Sequence, residues 1–200
     1  VFAQEVLKHT GYKIIYGSYA STDVYYRKPL TFHTCNPQAP ATSFVMVNDI
    51  HGDNKLLEDL MSRCNLTQTD FVLFNGDMLS FINSEDQLFK GFMDTAVRLF
   101  ASEIPMYYAR GNHETRGVFA TEIQRYFSPC QEHLYYAFRQ GPVYCIVLDT
   151  GEDKPDSDIE YAGITQYDLY RTEQSEWLAS ILESTEYKEA PFKIIVAHIP

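Results

Sequence analysis

Positive charge is scarce in this chain. Sixteen Lys and Arg face 27 Asp and Glu in 200 residues, a formal net charge of −11 at pH 7, and so acidic a surface repels a phosphate backbone instead of releasing counterions from it. Bulk nucleic-acid binding is excluded on that ground. An anionic small substrate would need a concentrated local positive charge, which a metal ion supplies where basic residues are few. Long apolar runs are also missing: the longest, such as Val143–Leu148, are strand-sized, so no membrane span is expected. None of the four cysteines, Cys35, Cys64, Cys130 and Cys145, has a neighbour at zinc-knuckle or redox-motif spacing. Cys145 lies in an apolar run and reads as a buried core thiol. There is no G-x-S-x-G elbow and no G-x-x-x-x-G-K-[ST] phosphate loop, which removes two common hydrolase classes. What is there is ordinary: 45% apolar and 22% charged residues suit a soluble globular chain of one domain, or one domain plus a fragment. The chain opens at Val1 with no basic segment leading into an apolar one, and reads as processed or trimmed.

Residues 1–41 differ from the rest. Gly11–Tyr19 and Val24–Thr34 are rich in Tyr, Ile, Val and Thr and read as short antiparallel strands, and Asn36–Pro40 (NPQAP) reads as a linker, because two prolines oppose both helix and ladder. From Thr42 strand and helix alternate. Ser43–Asn48 is an apolar strand, followed by a helix with Leu56, Leu57, Leu60 and Met61 on one face; Phe71–Asn75 is the next strand. Glu85–Ala101 follows as a helix with Leu88, Phe89, Phe92, Met93, Ala96, Val97 and Phe100 on one stripe, and Ile104–Ala109 is a strand again. Tyr135–Arg139 and Val143–Asp149 flank Gln140-Gly141-Pro142 as a hairpin, Thr172 is expected to cap a helix through Trp177, Leu178, Ile181 and Leu182, and Phe192–Ala197 is the last strand. The pattern is that of an α/β chain, a mixed sheet with helices on its faces.

Chemistry collects where the apolar strands end. Phe44–Asn48 runs into Asp49-Ile50-His51, Phe71–Asn75 into Gly76-Asp77, Ile104–Arg110 into Gly111-Asn112-His113-Glu114, and Phe192–Ala197 into His198. Ligand sites of α/β sheets gather outside the carboxyl ends of the strands, so donors remote in sequence can meet there. Asp and Asn oxygens with imidazoles suit first-row divalent metals, and a carboxylate able to bridge two ions is what a two-metal site needs. An Asp at one strand end is usually a cap or turn residue; four donor-bearing strand ends are a different signal.

D-x-H, G-D, G-N-H-E and H-x-P, in that order and each after a strand, resemble the signature of the calcineurin-like metallophosphoesterase superfamily, over about Thr42 to Pro200. The resemblance implies a metallophosphoesterase-type β-sandwich flanked by helices. It also implies hydrolysis of small phosphate mono- or diesters by a hydroxide bridging two divalent metals, Mn, Fe, Zn or Co. By type, Asp49 and His51 would hold the first metal, Asp77 would bridge both, and Asn112 and His198 would hold the second. His113 would be the non-ligand imidazole beside the leaving oxygen. The plainer reading of the residues is that His113 hydrogen-bonds a backbone carbonyl and Glu114 does no more than orient it. Residues 1–41, ending in Leu30-Thr31-Phe32-His33-Thr34, are similar to the fibronectin-III-like modules that precede catalytic domains in purple acid phosphatases and related exported enzymes, which implies export.

Two features depart from that pattern. Purple acid phosphatases carry a Tyr three positions after the bridging Asp; here Ser80 stands there, and His51 stands where they have no histidine, so a tyrosinate-iron pair is not expected. The family's later G-H-x-H block is absent before Pro200, so residues 42–200 read as a catalytic domain truncated at its C-terminus, and a non-catalytic scaffold with an incomplete fold is the alternative reading. Arg110 and Arg116 flank the third block and read as solvated loop charges or phosphate contacts. Tyr161, Tyr167 and Tyr170 read as core contacts or a substrate rim, and His9, His33 and His133 as surface or packing residues. Asn65-Leu66-Thr67 fits an N-glycosylation acceptor.

Overall fold

Phe71–Asn75 is apolar at almost every position because both of its faces are covered. In the computed structural model, which describes residues 31–127 and 133–199 and two short N-terminal strands, this segment is the middle of three parallel strands. The chain divides into two compact units, Val1–His33 and Thr34–Pro200. In the first, Ile15–Tyr16 (β1) and Tyr19–Ala20 (β2) pair antiparallel. The other expected N-terminal strand lies outside the described residues up to 30, and Thr31–Thr34 carries no strand pairing.

In the second unit Phe44–Val47 (β3), Phe71–Asn75 (β4) and Met106–Ala109 (β5) form one parallel sheet in that order. Tyr136–Gln140 (β6) pairs antiparallel with Val143–Val147 (β7), which pairs parallel with Phe192–Val196 (β8). Period-two alternation assigns the faces. Phe71 and Leu73 point to the second sheet and meet Tyr136, Cys145 and Val147; Val72 and Phe74 point to the helices and meet Leu57, Phe92 and Phe100. The outer face of the second sheet, through Tyr144 and Ile146, is covered by Trp177, Leu178 and Ile181. The result is helix, sheet, sheet, helix: the sandwich flanked by helices that the family resemblance implies, where the strand and helix pattern alone predicts one mixed sheet. Tyr136 links the sheets, its hydroxyl accepting from Tyr108 N–H and donating to Tyr108 O, both at 3.0 Å.

Helix α1, Asn54–Met61, is capped by Asp53, whose carboxylate accepts from Leu56 N–H at 2.9 Å. The helical run α2, 85–101, starts at Ser84, which accepts from Gln87 N–H, but it departs from an unbroken α-helix: Phe89–Met93 and Val97–Ala101 are π-turns. Each π-turn carries an extra residue and rotates the side chains after it, so Val97, expected on the apolar stripe, is 51% exposed. Gln124–Phe127 forms a short helix, α3. Helix α4, Tyr167–Glu183, begins five residues before the expected cap. Asp156 closes its start by accepting from Tyr167 and Asp168 N–H, while Thr172 sits inside the helix and donates to Asp168 O, the back-bond open to a mid-helix threonine. Thr185–Glu189 is α5.

Cys145 is buried in the inter-sheet core and Cys35 is exposed. Burial pushes the Cys145 thiol up to about 11, and only the thiolate is nucleophilic. Iodoacetamide at pH 8 followed by peptide mass mapping is therefore expected to alkylate Cys35 in the native protein and leave Cys145 unmodified until the chain is unfolded.

Candidate metal centre

The loops after β3, β4 and β5 lie side by side, because the strands are parallel and in register. They are also stitched together: Asp49 N–H donates to Gly76 O, His51 N–H to Asp77 O and Gly52 N–H to Met78 O, at 3.1, 3.0 and 2.7 Å. Following the neighbouring loop this closely puts Asp49, His51 and Asp77 at φ 59°, 48° and 54°. Left-handed backbone at non-glycine residues costs free energy and concentrates at functional sites. Two glycines allow the closest approaches. A Cβ on Gly111 would lie 2.2 Å from Asp77 Oδ1, and one on Gly76, itself at φ 81°, would lie 2.6 Å from the His198 ring.

Asp77 is the centre of the arrangement. Its side chain is 6% exposed, Oδ1 accepts from His113 N–H at 3.1 Å, and Oδ2 faces three imidazole Nε2 atoms, His198 at 3.3 Å, His113 at 3.8 Å and His51 at 3.9 Å. The opposite ring nitrogens are occupied. His198 Nδ1 lies 2.7 Å from Asn75 O, His113 Nδ1 3.0 Å from Ser80 O, and His51 Nδ1 3.3 Å from Ser80 Oγ. A carbonyl can only accept, so His198 and His113 carry a proton on Nδ1, and in the neutral ring the Nε2 lone pair faces the carboxylate. Two electron-rich atoms at these distances call for a cation between them, a proton on Nε2 or a metal ion. Two donor clusters meet that need, His51-Asp77-His113 and Asp49-Asp77-His198; their ligand atoms lie within 4.8 Å of one another in each, and Asp77 belongs to both. Asp49 Oδ1 is also 3.8 Å from His51 Nε2. Imidazoles and carboxylates gathered around the shared Asp77 are a donor set suited to divalent cations.

Asn112, the remaining expected ligand, occupies the same turn as His113. Its Nδ2 donates to Glu152 Oε2 at 3.4 Å, which leaves Oδ1, the atom a metal takes, outside that bond. Glu152 carries no signal in the sequence. It is 7% exposed and also accepts from Thr115 Oγ1 and, at 2.9 and 3.1 Å, from Nε and Nη2 along one edge of the Arg116 guanidinium. Burial opposes its charge, but the Arg116 and Thr115 hydrogen bonds outweigh it and hold the carboxyl below the usual range.

Two expectations are corrected. Glu114 does not orient His113, whose Nδ1 is turned to Ser80. It is fully buried and binds the Asp77 and Gly111 N–H groups with Oε2 and the Leu79 N–H with Oε1, each at 2.9 Å, tying the second loop to the third. Burial pushes its carboxyl up, against those three donors, which favour the anion. Arg110 is neither solvated nor aimed at a ligand site: it pairs with the fully buried Asp149, Nη2 to Oδ2 at 2.8 Å and Nε to Oδ1 at 3.1 Å. Tyr170 belongs to the same network, donating to Asp149 Oδ2 at 2.8 Å, while Tyr167 packs edge-on against Tyr161. Asp149 could have been found by the rule that located the other donors, since it too follows an apolar strand.

The calcineurin-like phosphoesterase family profile matches residues 42–200. No curated protein sequence matches the chain. Among solved structures, the purple acid phosphatase PPD1 from seeds of yellow lupin (Lupinus luteus) superposes with a TM-score of 0.59 at 18% identity, over 81% of this chain and 31% of the lupin chain. The chain thus spans about a third of that relative's length, and at this identity the likeness speaks to the fold. With the profile covering most of the sequence, the chain belongs to the calcineurin-like phosphoesterase family.

Proposed function

We propose that this chain hydrolyses small phosphate mono- or diesters with two divalent metal ions held across Asp77, drawn from Mn, Fe, Zn or Co. The observation that carries the reading is the convergence of three imidazole Nε2 atoms on one carboxylate oxygen. Asp49 and His51 would hold one ion and Asn112 and His198 the other, with Asp77 shared. When bound, such a pair supplies a water acidified toward neutrality and positive charge for the phosphoryl oxygens.

The chain's own residues do the rest. His198 has the least exposed of the three imidazoles, at 10%, and its bond to Asn75 O fixes the ring. Glu152 fixes the Asn112 carboxamide. His113, its ring held by Ser80 O, turns Nε2 toward the reaction space; protonated there, it donates its proton to the leaving oxygen as the P–O bond breaks and water's oxygen takes its place on phosphorus. Ser80 supports the reading that no tyrosinate-iron pair is used, since its hydroxyl faces His51. The likeness of residues 1–41 to modules of exported phosphatases supports export. No helix among the described residues is long and apolar enough to cross a membrane.

His113→Ala tests the assignment, because His113 is as near to Asp77 as His51 is. As a proton donor, its loss lowers kcat by roughly 10²–10⁴-fold while elemental analysis finds the metal content unchanged. A drop in metal content would make His113 a ligand.

A further inference from the structure

A groove of about 480 Å³ opens directly beside the candidate metal centre, within the size range of small-molecule sites. His51 and Ser80 are part of its lining. Ser80 is also the residue whose carbonyl holds His113, so the groove lies next to the imidazole that faces the leaving oxygen. Leu79 and the glycines at 52 and 91 form part of its lining, and no side chain on those glycines narrows it. Phe81 stands in the wall with 47% of its surface exposed, the large aromatic of the loop that carries Asp77.

Much of the remaining lining is polar: Ser80, Ser84, Asp86, Gln87 and Lys90 all border the groove, and the Ser84 hydroxyl accepts from Gln87 N–H. Gln87 spends its Oε1 on Asn83 N–H at 2.9 Å, which leaves its amide N–H groups as donors. At the rim Lys90 pairs with Asp86 at 2.6 Å, so the groove offers no unpaired cation to a second phosphate. An aromatic wall beside uncharged hydroxyl and amide groups, with the rim charges cancelled, suits a neutral ring-bearing group that also carries hydrogen-bonding atoms.

We propose that this groove is the leaving-group subsite, and that the preferred substrates are phosphoesters of neutral ring-bearing alcohols, aryl or nucleoside in kind, with the ring against Phe81. The assignment rests on the phosphoesterase reading above, and the two are separable by experiment. The kinetics of the metal-loaded protein with 1-naphthyl phosphate and with glycerol 2-phosphate measure the preference, and saturation-transfer NMR with 1-naphthol alone measures occupancy of the groove without turnover. Phe81→Ala is expected to lower the naphthyl-over-glycerol ratio of kcat/KM about tenfold and to abolish the naphthol signal, while Phe81→Trp restores both. If both esters are hydrolysed and the ratio does not change, the subsite is wrong and the phosphoesterase reading stands. If neither ester is hydrolysed, the phosphoesterase reading fails. The naphthol titration then decides the groove: loss of signal in Phe81→Ala keeps it as a ring-binding site, and absence of signal in the wild type overturns it.

Discussion

Asp77→Asn is expected to remove both the metal and the activity while leaving the fold in place. The substitution is isosteric, and an asparagine Oδ1 can still accept from His113 N–H, as Asp77 Oδ1 does at 3.1 Å. The other atom decides the outcome. In place of an anionic oxygen, an NH₂ group would face the Nε2 atoms of His198, His113 and His51, now at 3.3, 3.8 and 3.9 Å from Oδ2. An amide nitrogen cannot ligate, and turning the amide over restores an oxygen there only by depriving His113 N–H of its acceptor. Residues that merely orient a ligand are worth 10–100-fold in metal affinity, so loss of the shared ligand is expected to cost more than about 100-fold. Elemental analysis and a phosphatase assay on the same preparation, with circular dichroism to establish folding, make the measurement. Full metal content in Asp77→Asn would refute the shared role and with it the proposed chemistry.

Arg110→Met is expected to have the largest effect on stability. The Asp149 carboxylate is fully buried, and Arg110 is its cationic partner; methionine fills the volume without the charge. What remains is a buried anion with the Tyr170 hydroxyl at 2.8 Å. Breaking a buried pair from one side typically costs about 3–5 kcal/mol, which for a domain of this size lowers Tm by roughly 6–20 °C. Removing Asp149 as well, in Arg110→Met with Asp149→Leu, is expected to recover most of the loss, because replacing both partners by apolar groups eliminates the uncompensated charge. Scanning calorimetry of the three proteins distinguishes this from a surface pair, for which Arg110→Met would shift Tm by no more than about 4 °C.

Much of the architecture was legible because burial imposes periodicity. β4 is flanked by core on both faces and reads as an unbroken apolar run; β6 and β7 are joined at Gly141, whose φ of 54° suits the glycine that marks the hairpin. The helix starts were less legible, because a cap can come from a distant residue. Asp156 closes α4 from eleven residues before Tyr167, and no local pattern distinguishes it from Thr172. The π-turns of α2 were invisible for a related reason: an extra residue per turn is a response to packing, and the apolar spacing alone fits an ordinary helix.

The sequence by itself determined which atoms could do chemistry here. It placed Asp49, His51, Asp77, Asn112, His113 and His198 immediately after apolar strands, and the parallel order of such strands brings their carboxyl ends to one edge. Only the tertiary structure decided how those atoms are held. Glu114 clamps two loops through backbone N–H groups, Glu152 holds the Asn112 amide, and Ser80 touches two imidazoles. Hydrogen bonds between residues some thirty to forty positions apart depend on distance and direction after folding, and neither is written in spacing along the chain.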